Sequence, residues 1–205
     1  MWPILLIAIF FIVNFIITNR QATHPIVHFH TLFSKKPFVG ATMAISSHLT
    51  LLTGIAGINV YIVRILKLPF DISLHFYFFF FVGVIITGIL KMFFYSSVGA
   101  GFLGTLGSSA LLYVSIHWII LGNTINIPLL YIQGLLLGFG ASMTLVSGSM
   151  ATLLDGDLKE AAQRSQTMHT IRNFSAAMLI PIIAYTIKNH IQKGTQSIYC
   201  LLYTS

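Results

Sequence analysis

Residues 76–90 read FYFFFFVGVIITGIL, an apolar and aromatic run without a charged side chain. With its flanks the run extends over residues 68–90, which is close to the roughly twenty apolar residues that a helix needs to cross a bilayer. In hydrocarbon every backbone N–H and C=O group must be paired within the protein, and a helix pairs them within one segment. The stretch therefore predicts a transmembrane helix.

Five further segments have the same character, and they extend the prediction to the whole chain. The predicted spans are residues 2–18, 38–66, 68–90, 98–121, 128–154 and 169–187. Each lacks acidic residues at its centre, so each is expected to be helical. The predicted fold class is all-α, a polytopic membrane bundle of about six transmembrane helices.

The composition supports this class and excludes others. The 205 residues include eleven Lys or Arg and four Asp or Glu, so that 7 % are charged, against roughly 25 % in soluble domains. The mean hydropathy is +0.88. A soluble globular enzyme or a disordered chain is excluded. Nucleic acid is excluded as a partner because the basic residues are scattered instead of forming a stripe. The expected partner is the lipid bilayer, and no cofactor is expected.

The basic residues also predict an orientation. Lys and Arg in alternate loops divide six to four in favour of the first, third and fifth loops. Because cytoplasmic loops carry the excess of Lys and Arg, these three loops are predicted to lie in the cytoplasm. The predicted location is the inner (plasma) membrane.

Two of these loops have features of their own. The first, residues 20–37, contains His24, His28 and His30 among apolar residues, which indicates an interfacial helix. These histidines are not expected to bind metal, because no Cys or carboxylate lies near them. In the fifth loop Asp157 and Glu160 have the spacing of a capping box at a helix start.

Polar side chains within the spans are the candidates for function, since hydrocarbon penalises them unless they face a partner or a cavity. The predicted substrate-cavity residues are His48, Thr53, Asn59 and Gln133. The alternative for His48 is a hydrogen bond to a backbone carbonyl. The alternative for Thr53 and the hydroxyl groups beside it is close helix packing.

Three charged or titratable residues form a second group of candidates. Asp71 and His75 lie four residues apart on one helix face and are candidates for proton coupling, or else an interfacial ion pair or helix cap. Arg172 is the candidate for a gating or structural charge. Its alternative is to extend toward the cytoplasmic surface. No converging nucleophiles or carboxylates indicate catalysis, so the protein is not expected to be an enzyme.

Small residues predict how the helices pack. Gly134, Gly138 and Ser142 repeat every four residues, as do Ala100, Gly104 and Ser108. Such stripes let helix backbones approach closely in lipid. Pro181 is expected to permit a kink in the sixth segment.

The last residues of the chain invite a separate interpretation. Residues 200–205, CLLYTS, match the translation of a transposase sequencing adapter, TGT CTC TTA TAC ACA TCT, and the alternative is a native tail. The single cysteine, Cys200, excludes a disulfide framework, a Cys-type zinc site and an iron–sulfur cluster.

Three motifs resemble segments of one transporter family. His24-Pro25-Ile26-Val27-His28-Phe29 with Lys36-Pro37-Phe38 is similar to a cytoplasmic segment that precedes the family's ninth helix. Residues 133–141 resemble its Gly-rich twelfth helix. Residues 161–177 resemble the start of its thirteenth helix, with Arg172 on the family's arginine. The family is that of the fourteen-helix drug:proton antiporters of the major facilitator superfamily.

The resemblance implies that residues 1–199 form the C-terminal half of a major facilitator fold. Two six-helix halves rock about a midplane site in such transporters. It further implies proton-coupled efflux of small amphipathic compounds by alternating access, with the missing N-terminal half, protons and a small-molecule substrate as partners. The alternative is a non-transporting polytopic membrane protein or scaffold.

Overall fold

The computed structural model describes residues 2–22, 35–120, 126–154 and 160–203. These residues form five α-helices, with a single π-helical turn, Tyr61–Ile65, directly after the second. The helices are α1 (Trp2–Gln21), α2 (Lys35–Val60), α3 (Phe70–Ile120), α4 (Ile127–Leu154) and α5 (Ala161–Tyr203). The predicted all-α class is confirmed for the described residues. The predicted interfacial helix at His24–His30 and the capping residue Asp157 lie outside them.

Three of the helical segments are long and apolar enough to cross a membrane, namely Lys36–Val63, Phe70–Ile120 and Ile127–Leu154. This length and composition support the prediction of a transmembrane protein. The side chains on the outer surface agree with it, since large apolar residues such as Phe78 and Ile85 are each 62 % exposed. A face of this kind is stable against lipid, where exposed apolar surface carries no penalty.

Helix α3 is two helical arms that meet at Gly99. Its 51 residues would extend about 77 Å as one straight helix, more than twice the roughly 30 Å of a hydrocarbon core. Gly99 interrupts it with φ 79° and ψ 165°, a backbone conformation that glycine adopts at little steric cost. The first arm covers residues 70–98 and the second arm residues 100–120. They correspond to the predicted spans 68–90 and 98–121.

The contacts of the two arms with α4 show that they run in opposite directions. On the first arm, Phe76 lies at Gly134 and Phe80 at Gly138, so the arm runs parallel to α4. On the second arm, Gly107 lies at Thr144, whereas Trp118, farther along the chain, lies at Gln133. The chain therefore reverses at Gly99, and α3 is a helical hairpin packed along α4.

Helix α4 is the centre of the bundle, and small residues set its distance from its neighbours. A Cβ atom placed on Gly138 would overlap the carbonyl oxygen of Phe80, and one on Gly134 would lie 2.8 Å from that of Phe76. Against α2, Gly148 faces Gly40 at a similarly short range. The predicted packing role of Gly134 and Gly138 is thereby confirmed.

The apolar core lies where α2, α3 and α4 meet. It contains fully buried Phe76 and Val114, together with neighbours from all three helices. Helix α5 joins the bundle through its first turns, where Met168 packs against Ala41 and Ala44 of α2. Helix α5 remains helical on both sides of Pro181.

The contacts also show which chain segments lie together at one end of the bundle. Lys36 at the start of α2, Tyr95 and Gly101 beside the Gly99 turn, and Leu154 at the end of α4 line one cavity. The chain segments after α1, around Gly99 and after α4 are the three loops that the distribution of Lys and Arg predicts to share one side of the membrane. The structure brings Lys36, the residues on both sides of Gly99 and Leu154 to the same end of the bundle.

Candidate functional site

The candidate site begins with a cavity at the opposite end from Gly99, between α2, the second arm of α3 and α4. We call it the Gln133 cavity, and its volume is about 210 Å³. Its walls are mainly apolar, with a few polar groups, which is typical of small-molecule sites. The residues that line it are Gly57, Ile58, Tyr61, Trp118, Asn126, Leu129, Leu130 and Gln133.

Gln133 is the polar centre of this cavity and is only 1 % exposed. Its Oε1 accepts a hydrogen bond from the indole Nε1 of Trp118 at 2.7 Å. Its Nε2 lies 2.8 Å from Nδ1 of His117. Because an amide nitrogen only donates, Nδ1 of His117 is the acceptor and the imidazole proton is on Nε2. These two bonds fix the amide orientation and leave the second acceptor site of Oε1 for a further donor.

The π-helical turn Tyr61–Ile65 contributes Tyr61 to the cavity wall, beside Gly57 and Ile58 of α2. Its bond from the Leu66 N–H to the Tyr61 carbonyl, at 3.0 Å, spans five residues. Turns of this kind are rare and occur often at functional sites. Here the turn begins directly after Val60, and its first residue, Tyr61, lines the cavity.

A second cavity lies farther along the same three helical segments. We call it the hydroxyl groove, and its volume is about 240 Å³. Six of its eight lining residues are Ser or Thr, in a chain that is mostly apolar. The lining residues are Ser46, Ser47, Thr50, Ser108, Leu111, Leu112, Ser115 and Thr144.

A third cavity lies at the Gly99 end and has a volume of about 580 Å³. We call it the Lys36 cavity. It is formed by the start of α2, both arms of α3 next to Gly99 and the end of α4. Its lining residues are Lys36, Val39, Gly40, Met43, Tyr95, Ala100, Gly101, Met150, Ala151 and Leu154.

The structure separates the four predicted cavity residues. Gln133 lines the Gln133 cavity. Asn59 lies two residues from the cavity wall at Tyr61, and its Oδ1 accepts a hydrogen bond from the Tyr77 hydroxyl at 2.7 Å. The Thr53 hydroxyl donates to the Leu49 carbonyl at 2.7 Å, one turn earlier in its own helix. His48 is partly buried on α2 and does not line any of the three cavities.

Asp71 and His75 lie in the first turns of α3, and both are exposed. Nδ1 of His75 lies 2.7 Å from the main-chain carbonyl of Asp71, to which it donates. The His75 ring is 5.8 Å from the ring of Tyr131, the neighbour of the cavity residue Leu130. Neither Asp71 nor His75 lines any of the three cavities, and the described bond of His75 is to the main chain of Asp71.

Arg172 is half-buried on α5, one turn beyond the contact of Met168 with α2. Its Nε atom is buried and has no hydrogen-bond partner among the described residues. Its neighbour Ile171 packs against the cluster formed by Ala41, Ala44 and Met168. The structure therefore places Arg172 at the α2–α5 contact and apart from the three cavities.

Lys91 is a residue whose position the sequence did not reveal. It was expected to close the third span, but the first arm continues beyond it, and Lys91 is only 9 % exposed. Its Nζ donates to the Met143 carbonyl at 2.8 Å and lies 3.5 Å from the Ser142 carbonyl. The signal that could have shown this is the aromatic sequence directly after Lys91, which continues the helix.

The residues that the structure describes include no group of three His, Cys, Asp or Glu side chains that could hold a metal ion. Comparison with known proteins adds no assignment, since no protein family, curated protein or solved structure matches this chain.

Proposed function

We propose that the protein is a transmembrane transporter that moves small amphipathic molecules along the seam between α2, the second arm of α3 and α4. We call this the transport seam. The observation that carries the proposal is that all three cavities lie on it in sequence. Along α4 they are marked by Gln133, Thr144 and Leu154.

The row of cavities is as long as a membrane is thick. Gln133 and Leu154 are 21 residues apart in α4, which is about 30 Å along a helix and equals the thickness of a hydrocarbon core. Polar groups at this depth are costly unless they face a partner, a cavity or water, and here they line three cavities in a row. A scaffold without transport would have no need of them.

The predicted antiporter mechanism extends this proposal. In it, efflux by alternating access in the plasma membrane is coupled to protons, and the chain works with a second six-helix half. Asp71 and His75 are the candidates for the proton step, because they are titratable side chains four residues apart on one face of α3. The resemblance to the major facilitator antiporters supports the remaining parts.

Efflux of ethidium, an amphipathic fluorescent dye, tests the proposal in cells that express the open reading frame encoding this chain. We expect such cells to retain less dye than cells without it. Gln133→Leu should abolish this difference, because it leaves the Trp118 N–H unpaired at the cavity wall. Trp118→Phe removes the same hydrogen bond while keeping an aromatic ring, so it tests the cavity in a variant that retains the packing.

Gln163→Leu is the matched control, since Gln163 is an exposed glutamine on α5, away from the three cavities. It should leave efflux unchanged. Equal dye retention with and without the protein would favour the non-transporting alternative. Full efflux by both cavity variants would exclude the Gln133 cavity from the path.

A further inference from the structure

Five of the hydroxyl groups in the hydroxyl groove share one property, which is that each donates its proton to a backbone carbonyl. Those of Ser46, Thr50, Ser108 and Thr144 each donate to a backbone carbonyl three or four residues earlier in the same helix, at 2.7–3.1 Å. The hydroxyl of Ser47 donates across the helix interface to the Ala141 carbonyl at 3.1 Å. Each of the five has thereby used its only proton.

A hydroxyl group that has donated its proton is left with two acceptor lone pairs. Bonds of this type are common for single Ser and Thr residues in apolar helices, and Thr42 and Thr105 make them elsewhere in this chain. In the groove, five residues with such hydroxyl groups, from α2, α3 and α4, line one cavity. Their convergence produces a surface that accepts hydrogen bonds and has few protons to give.

The groove also carries no charged side chain, because its remaining lining residues are Leu111, Leu112 and Ser115. Mg²⁺ and Ca²⁺ are bound mainly through carboxylates, which the groove lacks. An ammonium group brings N–H donors and a positive charge, and charge-assisted hydrogen bonds are about twice as strong as neutral ones. The leucines offer an apolar wall to the carbon chain that bears such a group.

We propose that the hydroxyl groove binds the protonated head of an amphipathic primary or secondary amine, with its N–H groups donating to the Ser46, Thr50 and Thr144 oxygens. The groove recognises N–H donors, and positive charge alone does not suffice. Binding of this kind requires only the groove, so it is measurable whether or not the protein transports.

Three probes of equal chain length separate these contributions. Hexylamine is a protonated donor at neutral pH, hexyltrimethylammonium has the same charge without an N–H group, and hexanol is neutral. Their binding is measured by titration calorimetry on the full chain in phosphatidylcholine nanodiscs, with empty nanodiscs subtracted. We expect hexylamine to bind at least about tenfold more tightly than either of the others, since a hydrogen bond to a charged group contributes about 1.5–3 kcal/mol.

The variants locate the site. Thr50→Val removes one acceptor with little change of shape and should weaken hexylamine binding about tenfold. Ser46→Ala makes the same test with a smaller side chain. Thr42→Val is the matched control, because Thr42 is also exposed on α2 and bonded to its own helix, at the Phe38 carbonyl, but does not line the groove.

Equal affinities for hexylamine and hexyltrimethylammonium would overturn the proposal, because charge alone would then explain binding. An equal loss of affinity in Thr42→Val and Thr50→Val would overturn it as well. Loss of ethidium efflux in Gln133→Leu with unchanged hexylamine binding would support both the transport path and the independence of this groove.

Discussion

Two cationic residues, Arg164 and Lys91, bind backbone carbonyl groups of α4. Arg164 is 2 % exposed, and it donates to the carbonyls of Thr152 at 3.1 Å and Leu153 at 3.0 Å. The last carbonyls of a helix have no partner within the helix and carry the negative end of its dipole. Arg164 therefore caps α4 and connects it to the start of α5.

Removing the guanidinium should destabilise this connection. We expect Arg164→Met, which keeps much of the side-chain stem, to lower the free energy of unfolding by about 2–3 kcal/mol, because two charge-assisted bonds to buried carbonyls are lost. The measurement is the unfolding midpoint of purified protein by circular dichroism. Glu160→Gln is the control and should cost less than about 1 kcal/mol, since Glu160 is 48 % exposed and 3.6 Å from Arg164. An unchanged midpoint for Arg164→Met would contradict the capping role.

For Lys91, in contrast to Arg164, removal of the buried charge is expected not to lower the stability of the protein. Its ammonium group is held by carbonyls that the helix already pairs, so burial of the charge gains little in stability. Lys91→Met fills a similar volume without the charge, and we expect its unfolding midpoint to be no lower than that of the wild-type protein. Lys91→Ala should be less stable than Lys91→Met by about 2 kcal/mol or more, because it leaves a cavity. A Lys91→Met variant as unstable as Lys91→Ala would show that the ammonium group itself stabilises the fold.

At the scale of the helices, the distance between α3 and α4 depends on positions without a side chain. Gly138 meets the Phe80 backbone and Gly83 meets the Leu135 backbone. In lipid, such close approach replaces the hydrophobic effect as the source of helix association. The same α3–α4 interface contains Phe76 and Leu137 of the core, so a small separation of these helices would disturb both packing and the neighbouring cavities.

A pair of glycine substitutions tests this interface. Gly138→Ala should lower the free energy of unfolding by about 1–3 kcal/mol, because its methyl group has no space against the Phe80 backbone. Gly88→Ala is the matched control on α3, since nothing lies within 4 Å of a Cβ atom at Gly88. It should be neutral or stabilise by about 0.5–1 kcal/mol through helix propensity. Unfolding midpoints in detergent compare the two, and equal effects would contradict the close-packing account.

The helices themselves could be predicted, because the length and apolar character of each segment are enough to make it helical in a membrane. The small-residue stripe at Gly134 and Gly138 was also predictable, since its spacing alone places both residues on one helix face. The burial of Lys91 was missed because a single charge also ends many membrane helices, although the aromatic residues after it extend the helix. The cavities were not predictable either. They depend on the reversal at Gly99 and on the register in which the second arm brings Trp118 to Gln133, which no local pattern encodes.

At the scale of the whole molecule, the transport seam has a character different from the remaining surface. It is lined by Gln133, by the oxygens of the hydroxyl groove and by Lys36, whereas the outer face of the first arm presents Phe78 and Ile85. If the seam is a path for substrates, water must reach its side chains in the middle of the membrane. The first arm must present its aromatic face to lipid alone.

Cysteine accessibility measures this difference directly. Cys200 is the only cysteine, so Cys200→Ser provides a background for single cysteines. Leu129→Cys, Thr50→Cys and Met43→Cys sample the three cavities, and Phe78→Cys and Ile85→Cys sample the lipid face. Each is treated in native membranes with a water-soluble methanethiosulfonate reagent, with and without ethidium. We predict that the three seam cysteines react, that ethidium protects them, and that the two lipid-facing cysteines do not react. Seam cysteines as unreactive as those at positions 78 and 85 would contradict the transport path.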